Sequence, residues 1–133
     1  MEKRISIESK LDNISQVEKL VDEISDQCNL SADLYGKVLI ATIEAVNNSI
    51  VHGNKFDKEK LVHISFLLQK STIHIFIKDE GPGFNYHNIP DPTKPENLEN
   101  VSGRGVFLMR NLADEIVFND NGSQVELIFK IVE

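Results

Sequence analysis

Glu44 and Asn48 stand four residues apart, and in a helix that spacing stacks their side chains on one face, with His52 a further turn along. An acid and an amide so placed suit a magnesium-phosphate site, because Mg²⁺ takes few protein oxygens and completes its octahedron with water and phosphate. A second group with chemistry to offer is Asp79, which with Lys78 follows the apolar run Ile73 to Ile77 and leads into Glu80-Gly81-Pro82-Gly83. A carboxylate at a strand end is fixed by the sheet, while a glycine two residues on lets a flat ring approach the backbone. Gly-Pro-Gly is a strong breaker, but a turn alone does not account for the third cluster, Ser102-Gly103-Arg104-Gly105. It runs into Val106, Met109 and Leu112, the apolar side of a helix expected to start near Gly105, so free N–H groups there could receive a phosphate. Leu108 occupies the place of the third glycine of a dinucleotide fingerprint, no strand precedes the cluster, and the lysine motif of Walker-type loops is absent.

The elements that must position these groups are legible from periodicity. Ile5 and Ile7 alternate in a short edge strand, and Leu11, Ile14, Val17, Val21, Ile24 and Cys28 recur at helical spacing, with Ser15 and Glu18 as a capping box. Ser31 caps a second helix running to about His52, where Gly53 and Asn54 supply a left-handed stop. On it Leu39, Ile43, Val46 and Ile50 form the row that faces the core, with Glu44 and Asn48 nearly opposite. Asn47 points away from Glu44. Val62, Ile64, Phe66 and Leu68, then Ile73, Ile75 and Ile77, mark two strands joined by a hairpin at Gln69 to Thr72. Residues 84 to 102 hold Pro90, Pro92 and Pro95 and no period, a long loop of the kind that is functional in a compact domain. Residues 115 to 119 and 124 to 132 form a last hairpin around Asp120-Asn121-Gly122. Five strands and three helices in this order predict an α/β two-layer sandwich, a mainly antiparallel mixed sheet covered on one face by helices.

At 133 residues the chain has the size of one domain, 1–133. Its formal charge of −7 argues against a nucleic-acid binder, whose affinity rests on many Lys and Arg. No apolar run reaches the roughly 20 residues of a membrane helix, and MEKRISIESK lacks the apolar core of a signal peptide, so a cytoplasmic protein is expected. The single Cys28 excludes an internal disulfide and reads as a buried, inert thiol. His52, His63 and His74 do not form a metal set.

Taken together, Glu44-Ala45-Val46-Asn47-Asn48 with His52-Gly53, then Asp79-x-Gly81-x-Gly83, then Gly103-x-Gly105, occur in the order of the GHKL ATPase superfamily. The chain resembles that superfamily, which uses the Bergerat nucleotide-binding fold. Within it the chain is most similar to the stand-alone anti-sigma-factor serine kinases of bacterial partner-switching systems. The resemblance implies ATP and Mg²⁺ as cofactors, with Asn48 as the magnesium ligand, Glu44 as the general base and Asp79 as acceptor of a hydrogen bond from the adenine amino group. It further implies that nucleotide is bound by His52, Gly53, Lys55, Gly81, Gly83, Phe84, Lys94, Ser102, Gly103, Arg104, Gly105 and Val106, with residues 84–102 as a lid. Thr93-Lys94-Pro95-Glu96 resembles the segment before the glycine box of these kinases. Lys94, Lys55 and Arg104 are the candidates to offset phosphate charge. Some of these kinases place an arginine where this chain has Val101, and Arg104 is the candidate catalytic substitute. The implied activity is phosphorylation of a serine on an anti-anti-sigma antagonist, with a sigma factor as the other partner, commonly as a homodimer. Two alternatives stand beside it: a nucleotide-gated anti-sigma binding module with little kinase activity, favoured by Val101, and a detached histidine-kinase ATPase domain.

Overall fold

The structure, a computed structural model, describes residues 1–82, 101–119 and 122–131, and of residues 101–104 the backbone alone. Five strands, β1 (Glu2–Glu8), β2 (Leu61–Gln69), β3 (Thr72–Lys78), β4 (Glu115–Asn119) and β5 (Gln124–Lys130), make one sheet in the order β1-β2-β3-β5-β4. Every pairing among the described strands is antiparallel, so the sheet is not mixed. Three helices, α1 (Ile14–Cys28), α2 (Ala32–Asn48) and α3 (Val101–Leu112), complete the two-layer sandwich.

The strands follow from their period of two. Register sets Ile64 opposite Ile77, Phe66 opposite Ile75, and Ile75 opposite Leu127, so one face carries an unbroken apolar surface. Those side chains are fully buried together with Val17, Val21 and Ile24 of α1 and Val38, Ala41 and Val46 of α2. The β2–β3 hairpin turns at Lys70, whose φ of 51° is left-handed, so the chain reverses where the sequence predicts it.

The local caps divide into one expectation met and two corrected. Ser31 accepts a hydrogen bond from the Leu34 N–H, as an N-cap should. The Ser15–Glu18 capping box does not form. A 3₁₀ turn over Leu11–Asn13 precedes α1, the cap position falls to Asn13, and Ser15 Oγ instead donates to the Asp12 carbonyl at 3.0 Å. Gly53 and Asn54 are not a left-handed stop either: Asn54 has φ −86°, and the left-handed residues are Lys55 and Phe56, at 52° and 61°.

The buried arc of α2 is broader than the expected row. Val46 and Ile50 are buried but Leu39 and Ile43 only partly, while Val38, Ala41, Thr42 and Ala45 are closed off. The physical reason is that α2 is the central helix, packed against α1, α3 and the sheet together, and its small Ala41 and Ala45 admit that close approach. Cys28 is half-buried, and burial raises its thiol pKa.

Candidate functional site

The end of α2 positions most of the site. After Asn48 the helix widens into a π turn over Ser49–Gly53, in which the Asn54 N–H reaches back to the Ser49 carbonyl at 2.8 Å. Such one-turn expansions recur at functional sites because they re-aim side chains without ending the helix. Here the turn carries Ser49, His52 and Gly53 against the end of β3. Asn54 locks it in place: its buried amide donates to Ser9 Oγ at 2.9 Å and the Leu61 carbonyl at 3.0 Å, and accepts from the Glu80 N–H at 2.8 Å.

Beyond β3, Asp79 is 5% exposed, and its own N–H is held by the Ser123 carbonyl at 2.9 Å. Its Oδ1 accepts from the Gly81 N–H at 2.8 Å, and Ser49 lines the same pocket. Burial pushes this carboxyl above the usual carboxylate range, and the Gly81 N–H, the Ser49 hydroxyl and the Lys60 charge pull it back only in part. Two glycines make the approach possible. A β-carbon on Gly53 would sit 2.3 Å from Asp79 Oδ2, and one on Gly81 would sit 2.0 Å from the Gly53 carbonyl oxygen.

A pocket of about 520 Å³, counted with its open mouth, joins these groups to α3. Asn48, Ser49, His52, Gly53 and Asp79 form its polar wall, and Ala45, Ile77, Val106, Met109, Phe118 and Val125 its apolar one. A buried carboxylate beside an apolar slot suits a flat base that offers an N–H. Partial desolvation holds His52 below the usual imidazole range although much of its side chain is exposed.

At the α2–α3 side, Gly105 packs directly on the acid and amide. A β-carbon there would lie 2.8 Å from Asn48 Nδ2, 3.1 Å from Asn48 Oδ1 and 3.2 Å from Glu44 Oε2. Asn48 Oδ1 is buried with no hydrogen-bond partner. An orphaned amide oxygen next to a carboxylate is a donor set that fits a magnesium ion, which asks for oxygens and few of them.

The structure therefore brings Glu44, Asn48, His52, Gly53, Asp79, Gly81, Gly105 and Val106 to one hollow or its rim. Lys55 is exposed and does not line the pocket. Gly83, Phe84, Lys94 and residues 84–100 of the expected lid lie outside the described residues; Val101 and Ser102 belong to α3. The glycine cluster needs a correction: α3 begins at Val101, so Gly103 and Gly105 lie inside the helix and do not precede it. Val101 before the cluster and Val106 and Met109 after it are the apolar residues of a helix that runs through it, and Arg104 lies in its first turn. Sequence reasoning missed Ser49, which follows the expected ligand and whose place in the same pocket as Asp79 is set by tertiary structure. It also missed Glu80, whose carboxylate accepts from the Leu61 N–H at 2.6 Å and lies 3.5 Å from His63 Nε2.

Residues 7–129 match the histidine kinase-like ATPase domain. The chain belongs to that family, and the sandwich with its pocket at the α2–β3–α3 junction is the GHKL fold its motifs resemble. Among curated relatives, anti-sigma F factors recur. The one from a Geobacillus species is 34% identical over 108 residues, 78% of this chain and 65% of that protein. The Anoxybacillus flavithermus protein is 33% identical over 122 residues, covering 86% and 75%, and the Bacillus cytotoxicus protein 42% identical over 84 residues, covering 60% and 56%. The chain thus spans less than two thirds of several of the relatives it matches. In fold it is similar to the RsbU and RsbW domain structure from Mycobacterium tuberculosis, with a TM-score of 0.70 and 13% identity over 98% of this chain and 32% of that one. A histidine kinase domain from Erythrobacter litoralis aligns with a TM-score of 0.55 and 15% identity over 91% and 60%.

Proposed function

We propose that this chain is an ATP-dependent protein-serine kinase and anti-sigma factor, which phosphorylates a serine of an antagonist protein and otherwise holds a sigma factor. The observation that supports the reading is that Asn48 and Asp79, from two separate elements, line one pocket against α3, with Glu44 beside Asn48 at Gly105. The relatives named anti-sigma F factor support the choice of partners.

In this reading residues 1–133 act as one ATP-binding domain, working as a cytoplasmic homodimer. Among the described residues no helix is long and apolar enough to cross a membrane. Asp79 accepts the adenine amino group, with Ile77, Val106 and Met109 against the ring. Asn48 Oδ1 holds the magnesium, which when bound neutralises phosphate charge. Residues 101–104 present their N–H groups to the phosphates, with Ser102, Gly103 and Arg104 on that turn, and Gly83, Phe84, Lys94 and Lys55 contribute from around the mouth. Glu44 orients the incoming serine hydroxyl and takes its proton as the oxygen attacks the γ-phosphorus and the bond from that phosphorus to the β,γ-bridging oxygen breaks, releasing ADP. Positioning and electrostatics carry such a transfer, not a covalent enzyme intermediate.

Removing a positioned base costs about 10²- to 10⁴-fold in rate. The Glu44→Ala variant is expected to bind ATP normally and lose phosphotransfer to the antagonist, measured with γ-labelled ATP. Undiminished transfer would remove Glu44 from its role. Val101, where some of these kinases carry an arginine, favours a second reading in which the chain is a nucleotide-gated binding module. In that case the wild-type protein captures its sigma partner with ATP and labels no serine.

A further inference from the structure

We propose that residues 54–60, the loop that leaves the π turn, form a preformed docking site for a partner protein, with Phe56 as its apolar anchor and Lys55 and Lys58 as its charges. Its occupant is a segment in which acidic side chains stand beside an apolar one. The inference stands on the loop alone and does not depend on the nucleotide reading.

The loop is two tight turns in succession. The Asp57 N–H donates to the Asn54 carbonyl at 3.0 Å, and the Lys60 N–H to the Asp57 carbonyl at 3.0 Å. Buried Asn54 roots the first turn, and in the second Asp57 Oδ1 accepts from the Glu59 N–H at 3.0 Å. The central residues of the first turn are Lys55 and Phe56, left-handed at φ 52° and 61°. Turns with two left-handed central residues are dominated by Gly, Asn and Asp, and a single left-handed residue is enough to end a helix. Two bulky side chains are therefore held where the backbone disfavours them. Packing inside the molecule does not account for it: Phe56 is 50% exposed and outside the core cluster, and Lys55 is exposed. Strain that the fold keeps without internal contacts marks a functional surface. Lys55 and Lys58 make no ion pair among the described residues, so a partner's carboxylates can take both. At physiological salt a Debye length of about 8 Å lets these local charges prevail over the chain's net −7. An aromatic side chain presented among them is an anchor of the kind that dominates protein interfaces. An anionic membrane is the poorer match, since it draws clusters of roughly four to eight basic residues, whereas here Asp57 and Glu59 interrupt the lysines.

The test is titration of a short synthetic peptide of alternating glutamate and leucine into isotope-labelled protein, followed by amide chemical shifts, with Phe56→Gly and Lys58→Glu as variants. The amides of Lys55, Phe56 and Lys58 should shift along a saturable curve. Peptides with lysine for glutamate, or serine for leucine, should bind at least about tenfold more weakly. Phe56→Gly relieves the left-handed strain, so its melting temperature should equal or exceed the wild type's while peptide binding falls at least about tenfold. Lys58→Glu should melt as the wild type does and bind the peptide as weakly as Phe56→Gly. A lower melting temperature in Phe56→Gly would show that Phe56 serves the fold, and undiminished peptide binding by the variants, or no shift in the loop, would overturn the docking site. Loop shifts produced by phosphatidylserine vesicles and not by the peptide would give the loop to a membrane surface and overturn it as well.

Discussion

Asp79 is where stability and function pull apart at the scale of a single residue. Its folded-state pKa is raised because burial disfavours the charged form more than Gly81, Ser49 and Lys60 favour it. A raised carboxyl gives stability that is fully present below its unfolded pKa and is lost as pH rises through the folded-state value. At neutral pH the ionised group is therefore a net cost to the fold, kept for what it binds. Asp79→Asn is expected to raise the melting temperature at pH 7 by a few degrees, to lose that advantage as the pH falls toward the ordinary carboxylate range, and to abolish adenine nucleotide binding. Melting curves at pH 7 and pH 5 decide it, and a variant less stable than wild type at pH 7 would contradict the burial argument. Asp79 was legible in the sequence because an apolar strand that ends on a carboxylate two residues before glycine is a local pattern. Ser49 was not, since nothing in Asn48-Ser49-Ile50 says that a π turn will set Ser49 in the same pocket as Asp79.

At the scale of elements, the α2–α3 junction depends on the absence of one β-carbon. Gly105 lies inside α3, where glycine lowers helix stability by about 0.5–1 kcal/mol relative to alanine. Its reason for being there is tertiary, because a methyl group would press within 2.8 Å of the Asn48 amide nitrogen and 3.2 Å of Glu44 Oε2. Gly105→Ala is accordingly expected to change the unfolding free energy by less than about 1 kcal/mol, since helix gain and crowding offset each other. Phosphotransfer should drop at least about tenfold from displacement of the proposed base Glu44 and the proposed metal ligand Asn48. Urea unfolding set beside single-turnover transfer separates the two, and full activity in the variant would show that α3 does not set the geometry of Glu44 and Asn48. Helix boundaries were the least legible part of the sequence. The Ser31 cap was readable because its bond is to the Leu34 N–H three residues on, whereas the start of α1 depends on the 3₁₀ turn at Leu11–Asn13. The start of α3 at Val101 overrides glycines that read as a helix entry.

At the scale of the whole molecule, sheet and helices divide the work. The strands supply the apolar floor through Ile64, Phe66, Ile75, Ile77 and Leu127, and the order β1-β2-β3-β5-β4 puts β3, with Asp79 beyond its end, in the middle strand position. Helices on one face then set α2 beside that strand's end, so Asn48 lines the same pocket as the Asp79 carboxylate, which stands 31 residues further along the chain. That arrangement was foreseeable because period-two and helical patterns fix which faces are apolar. The all-antiparallel register and the broad buried arc of α2 were not, since both come from how layers pack. The central claim is that one nucleotide spans these groups, and the most direct measurement is a crystal structure with a non-hydrolysable ATP analogue and Mg²⁺. The account predicts the adenine amino group on the Asp79 carboxylate and the metal on Asn48 Oδ1 beside Glu44. A nucleotide seated elsewhere, or a metal that ignores Asn48, would contradict it.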